Sequence, residues 1–173
     1  DEQGNLLYSG APGTGGFSDV KRGDWYAPYV AFAKRYGIAN GYLDGTFRPE
    51  QPVSRAELVK LIASYFTVEG GTSPFPDVPD GHWAAEVVSF AAEEGWVSGY
   101  PDGTFRPDAP VSRAEAVKIL NHALDRRAGE RAAALPFTDV EKGHWACDEI
   151  REAAVSHIYR KSGEGETWLT YER

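Results

Sequence analysis

Two arginines stand at matched positions where anion binding is chemically possible. Arg55 and Arg113 each follow a serine that is expected to cap a helix, and each lies in the same repeated pentapeptide. The free backbone N–H groups and the dipole of a helix N-terminus favour an anion, and a guanidinium adds a planar fork that fits a carboxylate. These positions therefore predict a carboxylate ligand. The alternative is an ion pair with an acid of the same repeated stretch, such as Glu57 or Asp44.

Three tryptophans recur in matched contexts at Trp25, Trp83 and Trp145. A flat indole can stack on the C–H face of a sugar ring, but it is also a good anchor for a small core. Both interpretations stay open. Trp83 and Trp145 are the better ligand candidates, because each is expected beside the preceding repeat.

Tyrosines and glycines form a second recurring set, made of Tyr42, Tyr100, Gly41 and Gly99. The tyrosine hydroxyls can hydrogen-bond a ligand, and the glycines allow a ligand to approach the backbone. The alternative is that these residues, with Gly45 and Gly103, only set turn geometry.

Lys60 and Lys118 follow the two arginines at the same distance along the chain and could add positive charge to a groove. A solvated surface lysine is the ordinary alternative. Asp44 and Asp102 are interpreted as turn residues or arginine partners. They do not form a calcium loop, because the further acids of an EF-hand are missing. A third acidic position, at Asp19, Asp77 and Asp139, is interpreted as a structural cap or turn former.

An internal repeat with a constant spacing positions all of these side chains. Residues 41–49 and 99–107 share Gly-Tyr-x-Asp-Gly-Thr-Phe-Arg-Pro, and residues 53–57 and 111–115 share Val-Ser-Arg-Ala-Glu. Phe-x-Asp-Val occurs three times, at 17–20, 75–78 and 137–140. The sequence therefore predicts a lead-in at 1–16 and repeats at 17–74 (repeat 1), 75–136 (repeat 2) and 137–173 (repeat 3).

Each complete repeat predicts two helices joined by an Asp-Gly turn. The first helix ends at Gly37 or Gly95, and the second begins with a capping box, Ser54 with Glu57 or Ser112 with Glu115. The apolar faces predicted for the first helices are Tyr29, Phe32, Ala33 and Tyr36, then Ala84, Val87, Val88, Ala91 and Ala92. Those predicted for the second helices are Leu58, Leu61, Ile62, Tyr65 and Phe66, then Ala116, Ile119, Leu120, Ala123 and Leu124.

Repeat 3 departs from this pattern. Its first helix is predicted over 146–156, but His157 takes the place of the capping glycine, and the Asp-Gly turn and the second helix are missing. Residues 158–161 and 167–171 flank two glycines and predict a short β-hairpin.

Composition excludes several classes of function. The 173-residue chain has a formal net charge of -8, which argues against nucleic acid as a partner. The single cysteine, Cys147, allows no internal disulfide, and the four histidines have no metal-ligand spacing. The sequence has no membrane-length apolar run. It shows no signal peptide either, but a fragment or a processed chain would lack one in any case. Without a catalytic motif, we expect a protein that is not an enzyme and that needs no cofactor or metal. An acid pair of the kind that glycosidases use stays open as the alternative, because the chain has many carboxylates.

The order of these motifs resembles the surface-layer homology family. The resemblance covers about residues 17–158, with two complete copies and a third that is incomplete. It implies a mainly α fold, in which three helix-loop-helix repeats form a pseudo-threefold, three-pronged arrangement with carbohydrate-binding grooves between the prongs.

The resemblance also implies non-covalent anchoring to the wall of a bacterial cell. The implied ligand is a secondary cell-wall polysaccharide, often carrying a pyruvate ketal on N-acetylmannosamine, or a peptidoglycan-linked glycan. The implied location is extracellular. A pyruvate ketal is a carboxylate, so Arg55 and Arg113 are expected to capture it while Trp83 and Trp145 stack on sugars. Two alternatives remain open, namely a protein–protein assembly module of a surface layer or filament, and the address of a wall-attached enzyme.

Overall fold

A computed structural model describes residues 13–126, 135–162 and 165–171 of the chain. Within these ranges the protein is mainly helical, as predicted, with five helices and one two-stranded antiparallel sheet. The helices are α1 (Ala27–Arg35), α2 (Arg55–Ala63), α3 (Ala85–Glu93), α4 (Arg113–Ala123) and α5 (Cys147–Ala154), and the strands are β1 (His157–Ser162) and β2 (Gly165–Tyr171). The longest helix of this described part, α4, has 11 residues, so none of its helices could cross a bilayer.

The chain forms two compact units, of which the first ends at Pro52 and the second begins at Val53. This boundary falls inside repeat 1, between its turn and its second helix, and does not follow the repeat boundaries that the sequence suggests. The three-repeat division and the pseudo-threefold arrangement stay predictions. The predicted lead-in lies almost wholly outside the described residues.

The first unit contains α1 and a small core of Phe17, Val20, Ala27 and Val30. The predicted apolar face of α1 was wrong in part, because Tyr29 and Tyr36 are both more than half exposed. The helix approaches its core through the small side chains of Ala27 and Val30, and the larger aromatic rings stay outside. Periodicity finds apolar positions, but it does not say which side of a wide stripe faces the core.

The second unit has one continuous core shared by α2, α3 and α4. The predicted face of α3 is confirmed, with Ala84, Val88 and Ala91 buried. The stripes predicted for the other two helices were partly wrong. On α2 the buried residues are Ala56, Val59, Ile62 and Ala63, while Tyr65 lies beyond the last turn and is exposed; on α4 they include Ile119 and Ala123, while Leu120 and Leu124 are exposed.

The predicted helix ends are confirmed. Ser54 and Glu57 form a reciprocal capping box at the start of α2, and Ser112 and Glu115 form one at the start of α4. After α3, Gly95 takes a φ of 73°, and Trp96 N–H closes the last turn by donating to the carbonyl of Ala91 at 2.8 Å. These local signals fix where each helix begins and ends.

Repeat 3 forms α5 and the predicted hairpin of β1 and β2, with Ser162 opposite Gly165 at the turn. Glu152 of α5 lies beneath this hairpin and is buried. Its carboxylate accepts hydrogen bonds from Trp168 Nε1 at 2.9 Å and from Arg126 Nη2 at 2.6 Å. The Trp168 ring also stacks on His157, with centroids 3.8 Å apart. The hairpin is therefore fastened to α5 where the complete repeats carry a turn and a second helix.

Candidate functional site

The loop that carries Tyr100 is held in place by an aspartate of the preceding motif. Asp77 Oδ1 accepts from the backbone N–H of Phe105 at 2.9 Å, and Oδ2 accepts from that of Arg106 at 2.7 Å. Burial alone would raise the pKa of Asp77, but these hydrogen bonds outweigh it and hold the pKa below its ordinary value. Asp19 clamps Phe47 and Arg48 of the first unit in the same way. Their interpretation as structural residues is confirmed.

Asp44 and Asp102 organise the turns themselves. Asp102 Oδ1 accepts from the backbone N–H and the hydroxyl of Thr104, and Oδ2 accepts from Arg106 Nη2 at 2.9 Å. The equivalent bonds to Thr46 and Arg48 lower the pKa of Asp44 to about 2. These carboxylates are therefore turn residues whose arginine partners are Arg48 and Arg106.

An open groove of about 270 Å³ lies beside α4 in the second unit, and we call it the α4 groove. Its wall brings together five of the candidate residues that the sequence suggests. These five are Arg55, Gly99, Tyr100, Lys118 and Trp145, and the lining also includes Trp96, Glu115 and His122. The groove thus combines two basic side chains, two aromatic rings of the candidate set and a glycine backbone.

Arg55 lies at the start of α2 and is 6% exposed. Its guanidinium is placed against the rings of Tyr100 and Phe105, 4.7 Å and 4.9 Å from their centroids. Nε donates to the carbonyl of Phe105 at 2.9 Å, and Nη1 donates to Glu115 Oε1 at 3.0 Å. Within the described chain Nη2 has no such partner. The arginine is therefore a buried, anchored cation whose Nη2 donors are not used by the described residues.

Glu115 holds several of these groups at once. Its Oε1 accepts from Tyr100 Oη at 2.6 Å as well as from Arg55, and its Oε2 accepts from the backbone and hydroxyl of Ser112. Burial alone would raise the pKa of Glu115, but the hydrogen bonds from Tyr100 and Ser112 and the charge of Arg55 outweigh it and lower the pKa. Burial and the hydrogen bond that it donates to Glu115 raise the pKa of Tyr100. Glu115 thus caps α4 and also positions Arg55 and Tyr100 in the wall of the groove.

Lysine and tryptophan meet in the same way twice. Lys118 Nζ lies 5.9 Å from the centroid of Trp145, and Lys60 Nζ lies 5.2 Å from that of Trp83. Both tryptophans are more than half exposed. No acidic partner of either lysine is found in the described ranges. Each pair therefore offers a positive charge beside an accessible aromatic face.

Arg113 differs from its sequence equivalent. It is exposed, whereas Arg55 is covered by Tyr100 and Phe105 of the loop that follows in repeat 2. Repeat 3 has no such loop to cover Arg113. The structure therefore does not bring Arg113 into the α4 groove.

Tyr42 and Gly41 belong to the first unit, where the guanidinium of Arg48 lies 4.0 Å from the centroid of the Tyr42 ring. Trp25 is also in this unit and is 81% exposed. Its ring stands at steep angles to those of Tyr26 and Tyr29, with centroids 5.6 Å and 6.4 Å away. Within the described residues, Trp25 does not have the lysine neighbour that Trp83 and Trp145 have.

Gly99 has a clear reason to be glycine. Its φ is 70°, and a Cβ there would lie 2.5 Å from Cε1 of Phe75 and 3.0 Å from the carbonyl oxygen of Thr104. Gly41 faces Phe17 and Thr46 in the same manner. Turn geometry and close packing therefore require glycine at both positions, whether or not a ligand comes near.

Two groove residues were missed by sequence reasoning. Glu115 was interpreted only as a cap, and His122 was considered only as a metal ligand. Among the described residues, no cluster of potential metal ligands includes this histidine. The side chain of His122 instead joins the carbonyl of Gly95 to Glu149 of α5. Its position one turn after Lys118 was the available signal.

Comparison with known proteins gives a family for this arrangement. The model of the S-layer homology domain matches residues 16–59 and 74–117, about half of the chain. The matched segments contain Arg55 and Arg113 but end before the departures of repeat 3.

Individual proteins agree with this match. Cell surface glycoprotein 1 of Acetivibrio thermocellus is 34% identical over 172 residues, covering 92% of this chain and 7% of the relative. The cellulosome-anchoring protein of the same organism is 35% identical over 156 residues, covering 87% and 35%. Exoglucanase XynX of A. thermocellus is 36% identical over 121 residues, covering 65% and 11%. The chain thus spans about a third or less of these relatives.

Proposed function

Because the chain belongs to the S-layer homology domain family, a family of cell-surface anchoring modules, we propose that it attaches a larger protein to the bacterial wall by binding an anionic wall polysaccharide in the α4 groove. The family and its relatives place the chain at the cell surface. The identity of the polymer and the residues that bind it are the proposed parts.

The observation that carries this proposal is the pairing of cations with an open aromatic face in one groove. Arg55 retains guanidinium donors at the groove wall, and Lys118 adds a charge next to Trp145. A carboxylate on a sugar can accept hydrogen bonds from the arginine, and the C–H face of a sugar ring can stack on the indole. The chain as a whole is acidic, with a net charge of -8, so this local positive charge would select where an anionic polymer binds.

Residues of three repeats divide these roles. Arg55, from repeat 1, would receive the carboxylate of an acidic substituent such as a pyruvate ketal. Tyr100 would orient that arginine, because its hydroxyl and ring both contact the Arg55–Glu115 pair. Lys118 would add charge, and Trp145 would support a sugar ring. Gly99 would let the polymer approach the backbone of the same wall.

The proposal assigns binding, and no reaction, to this chain. Similarity to a protein named as an exoglucanase is compatible with this, since the chain covers only 11% of that relative. Where a relative is an enzyme, we propose that the matched part supplies attachment and that the remaining length carries the chemistry.

Co-sedimentation with purified Gram-positive sacculi tests the proposal, before and after hydrofluoric acid removes the secondary polymer. We expect binding to intact sacculi, loss of binding on stripping, and a clear reduction in a Lys118→Ala/Trp145→Ala variant. Arg113→Ala is the matched control, because this arginine lies outside the groove. Undiminished binding to stripped sacculi would contradict a secondary-polymer ligand. Concentration-dependent self-association without wall binding would favour an assembly module instead.

A further inference from the structure

His122 lies one turn after Lys118 on α4 and lines the α4 groove, but none of the roles above involves it. Its side chain is 36% exposed. Nδ1 lies 2.9 Å from the carbonyl oxygen of Gly95, and Nε2 lies 3.3 Å from Oε1 of Glu149. Both ring nitrogens therefore face oxygen atoms that can only accept a hydrogen bond.

This surrounding fits the charged form of the ring. A neutral imidazole has one donor nitrogen and one acceptor nitrogen. In either tautomer of His122, one nitrogen lone pair would point at an oxygen of Gly95 or Glu149. Only the doubly protonated imidazolium donates to both. The Gly95 carbonyl also follows the end of α3, where the helix dipole favours a cation.

The carboxylate that receives Nε2 is held independently of the histidine. Asn121 Nδ2 donates to Oε2 of Glu149 at 2.7 Å and to its backbone carbonyl at 3.0 Å. Asn121 is itself buried, with 5% of its surface exposed. Glu149 therefore stays in place on α5 whichever protonation state the ring adopts.

Charged groups on the neighbouring helices also affect the protonation of His122. Lys118 on α4 and Arg55 on α2 oppose a further positive charge, whereas Glu115 on α4 and Glu149 on α5 favour it. At the end of α3, Glu93 is engaged away from the groove lining, since the hydroxyl of Ser89 donates to its Oε1 at 3.1 Å. Two acids thus balance the two bases around the imidazole.

The His122–Glu149 pair has no equivalent one repeat earlier. When the matched motifs are aligned, Ser64 takes the place of His122, and Val87 takes the place of Glu149. Ser64 turns back on its own helix, with its hydroxyl donating to the carbonyl of Leu61 at 2.7 Å. Serine is therefore the uncharged residue that the preceding repeat carries at this position, and His122→Ser is the matched substitution.

We infer that His122 is a third cation of the α4 groove, and that the groove holds an anionic glycan more tightly when this imidazole is protonated. The inference rests on the proposed function. Both N–H groups are engaged with Gly95 and Glu149, so the ring acts through its charge. Histidine ordinarily changes charge between about pH 5 and 8. One added charge a few ångströms from a partly exposed anion corresponds to roughly three- to tenfold tighter binding.

The test measures binding of the whole chain to polymer-bearing sacculi at about pH 5.5 and about pH 8, at constant ionic strength. The wild type is compared with His122→Ser and Glu149→Gln, and thermal unfolding of each variant confirms that it is folded. We expect tighter binding at the lower pH in the wild type, little pH dependence in His122→Ser, and a weaker dependence in Glu149→Gln. Titration of the wall itself affects all three proteins equally and cancels in the comparison.

A nuclear magnetic resonance titration of the His122 ring provides a second readout that needs no wall material. We expect both ring nitrogens to carry protons at the lower pH, because only that form of the ring donates to both Gly95 and Glu149. Equal pH dependence in wild type and His122→Ser, or a ring that stays neutral at the lower pH, would overturn the inference alone. Failure of the wild type to bind at either pH would overturn the proposed function, and this inference with it.

Discussion

Arg55 and Glu115 form an ion pair between two successive repeats, with Nη1 and Oε1 3.0 Å apart. The two residues are distant in the chain, and each also belongs to the start of a second helix. Tyr100 joins the pair by donating to the same oxygen. The pair therefore links the orientation of the candidate ligand-binding arginine to the packing of α2 and α4.

Substitution of Arg55 should cost stability as well as binding. Arg55→Ala leaves Glu115 half-buried without its cation, and we expect the free energy of unfolding to fall by about 3 kcal/mol. Denaturant unfolding measures this loss. Arg113→Ala is the matched control, since the exposed Arg113 should change stability by no more than about 0.5 kcal/mol. Equal losses in the two variants would contradict the assigned difference in burial.

Substitution of Trp145 should separate binding from stability. Trp145 is 59% exposed, so Trp145→Ala should leave the fold intact while sacculus binding weakens by about tenfold, as expected for an aromatic anchor. Trp25→Ala serves as the control because, within the described residues, Trp25 has no lysine neighbour like Lys118. Co-sedimentation of both variants, together with circular dichroism, checks this prediction. A larger binding defect in Trp25→Ala would place the ligand elsewhere.

Asp77 should make the fold sensitive to acid. Its pKa in the folded chain lies below the ordinary value of about 3.9. Its contribution to stability is therefore complete above about pH 4 and is lost as the pH falls through the folded pKa. We expect Asp77→Ala to lose about 1 kcal/mol at neutral pH and to show a shallower stability decline in acid.

The third repeat supplies the control for Asp77. Asp139 occupies the same position of the motif, but repeat 3 has no Thr-Phe-Arg-Pro loop to clamp. Asp139→Ala should therefore unfold like the wild type at every pH. Guanidinium chloride titrations from about pH 3 to pH 7 would decide the matter, and parallel curves for wild type and Asp77→Ala would argue against the clamp.

Gly99 and Gly103 should respond differently to alanine. Both have positive φ values, 70° and 81°, so both substitutions introduce backbone strain. Only at Gly99 does the new Cβ meet Phe75 and Thr104, whereas nothing lies within 4 Å at Gly103. We expect a loss of about 3 kcal/mol for Gly99→Ala and about 1 kcal/mol for Gly103→Ala. A comparison of their unfolding midpoints tests this order.

Local rules explain what the sequence predicted correctly. The capping boxes at Ser54 and Ser112 each join a serine to the glutamate one helical turn later. The hairpin of repeat 3 was predicted from two short segments that flank a pair of glycines. The apolar stripes were less successful, because Tyr29 and Tyr65 match the helical period yet remain exposed. A period identifies a face, but only the packing partner decides how much of it is buried.

The candidate site depends on long-range relationships that no local pattern contains. Recurrence selected Arg55, Lys118 and Trp145 as candidates, but it could not reveal that they line one groove. It also treated Arg55 and Arg113 as equals. They differ because the loop after α3 covers Arg55, and the described chain has no such loop after α5.

The lining of the α4 groove has a consequence for how many such grooves a protein of this kind can hold. The wall takes an arginine from repeat 1, a loop and a lysine from repeat 2, and a tryptophan from repeat 3. One complete groove therefore requires three consecutive repeats. A linear array built by this rule has two fewer complete grooves than repeats. A single excised repeat would carry part of a groove and the whole of none, so the shortest transferable anchor is longer than the shortest unit of sequence.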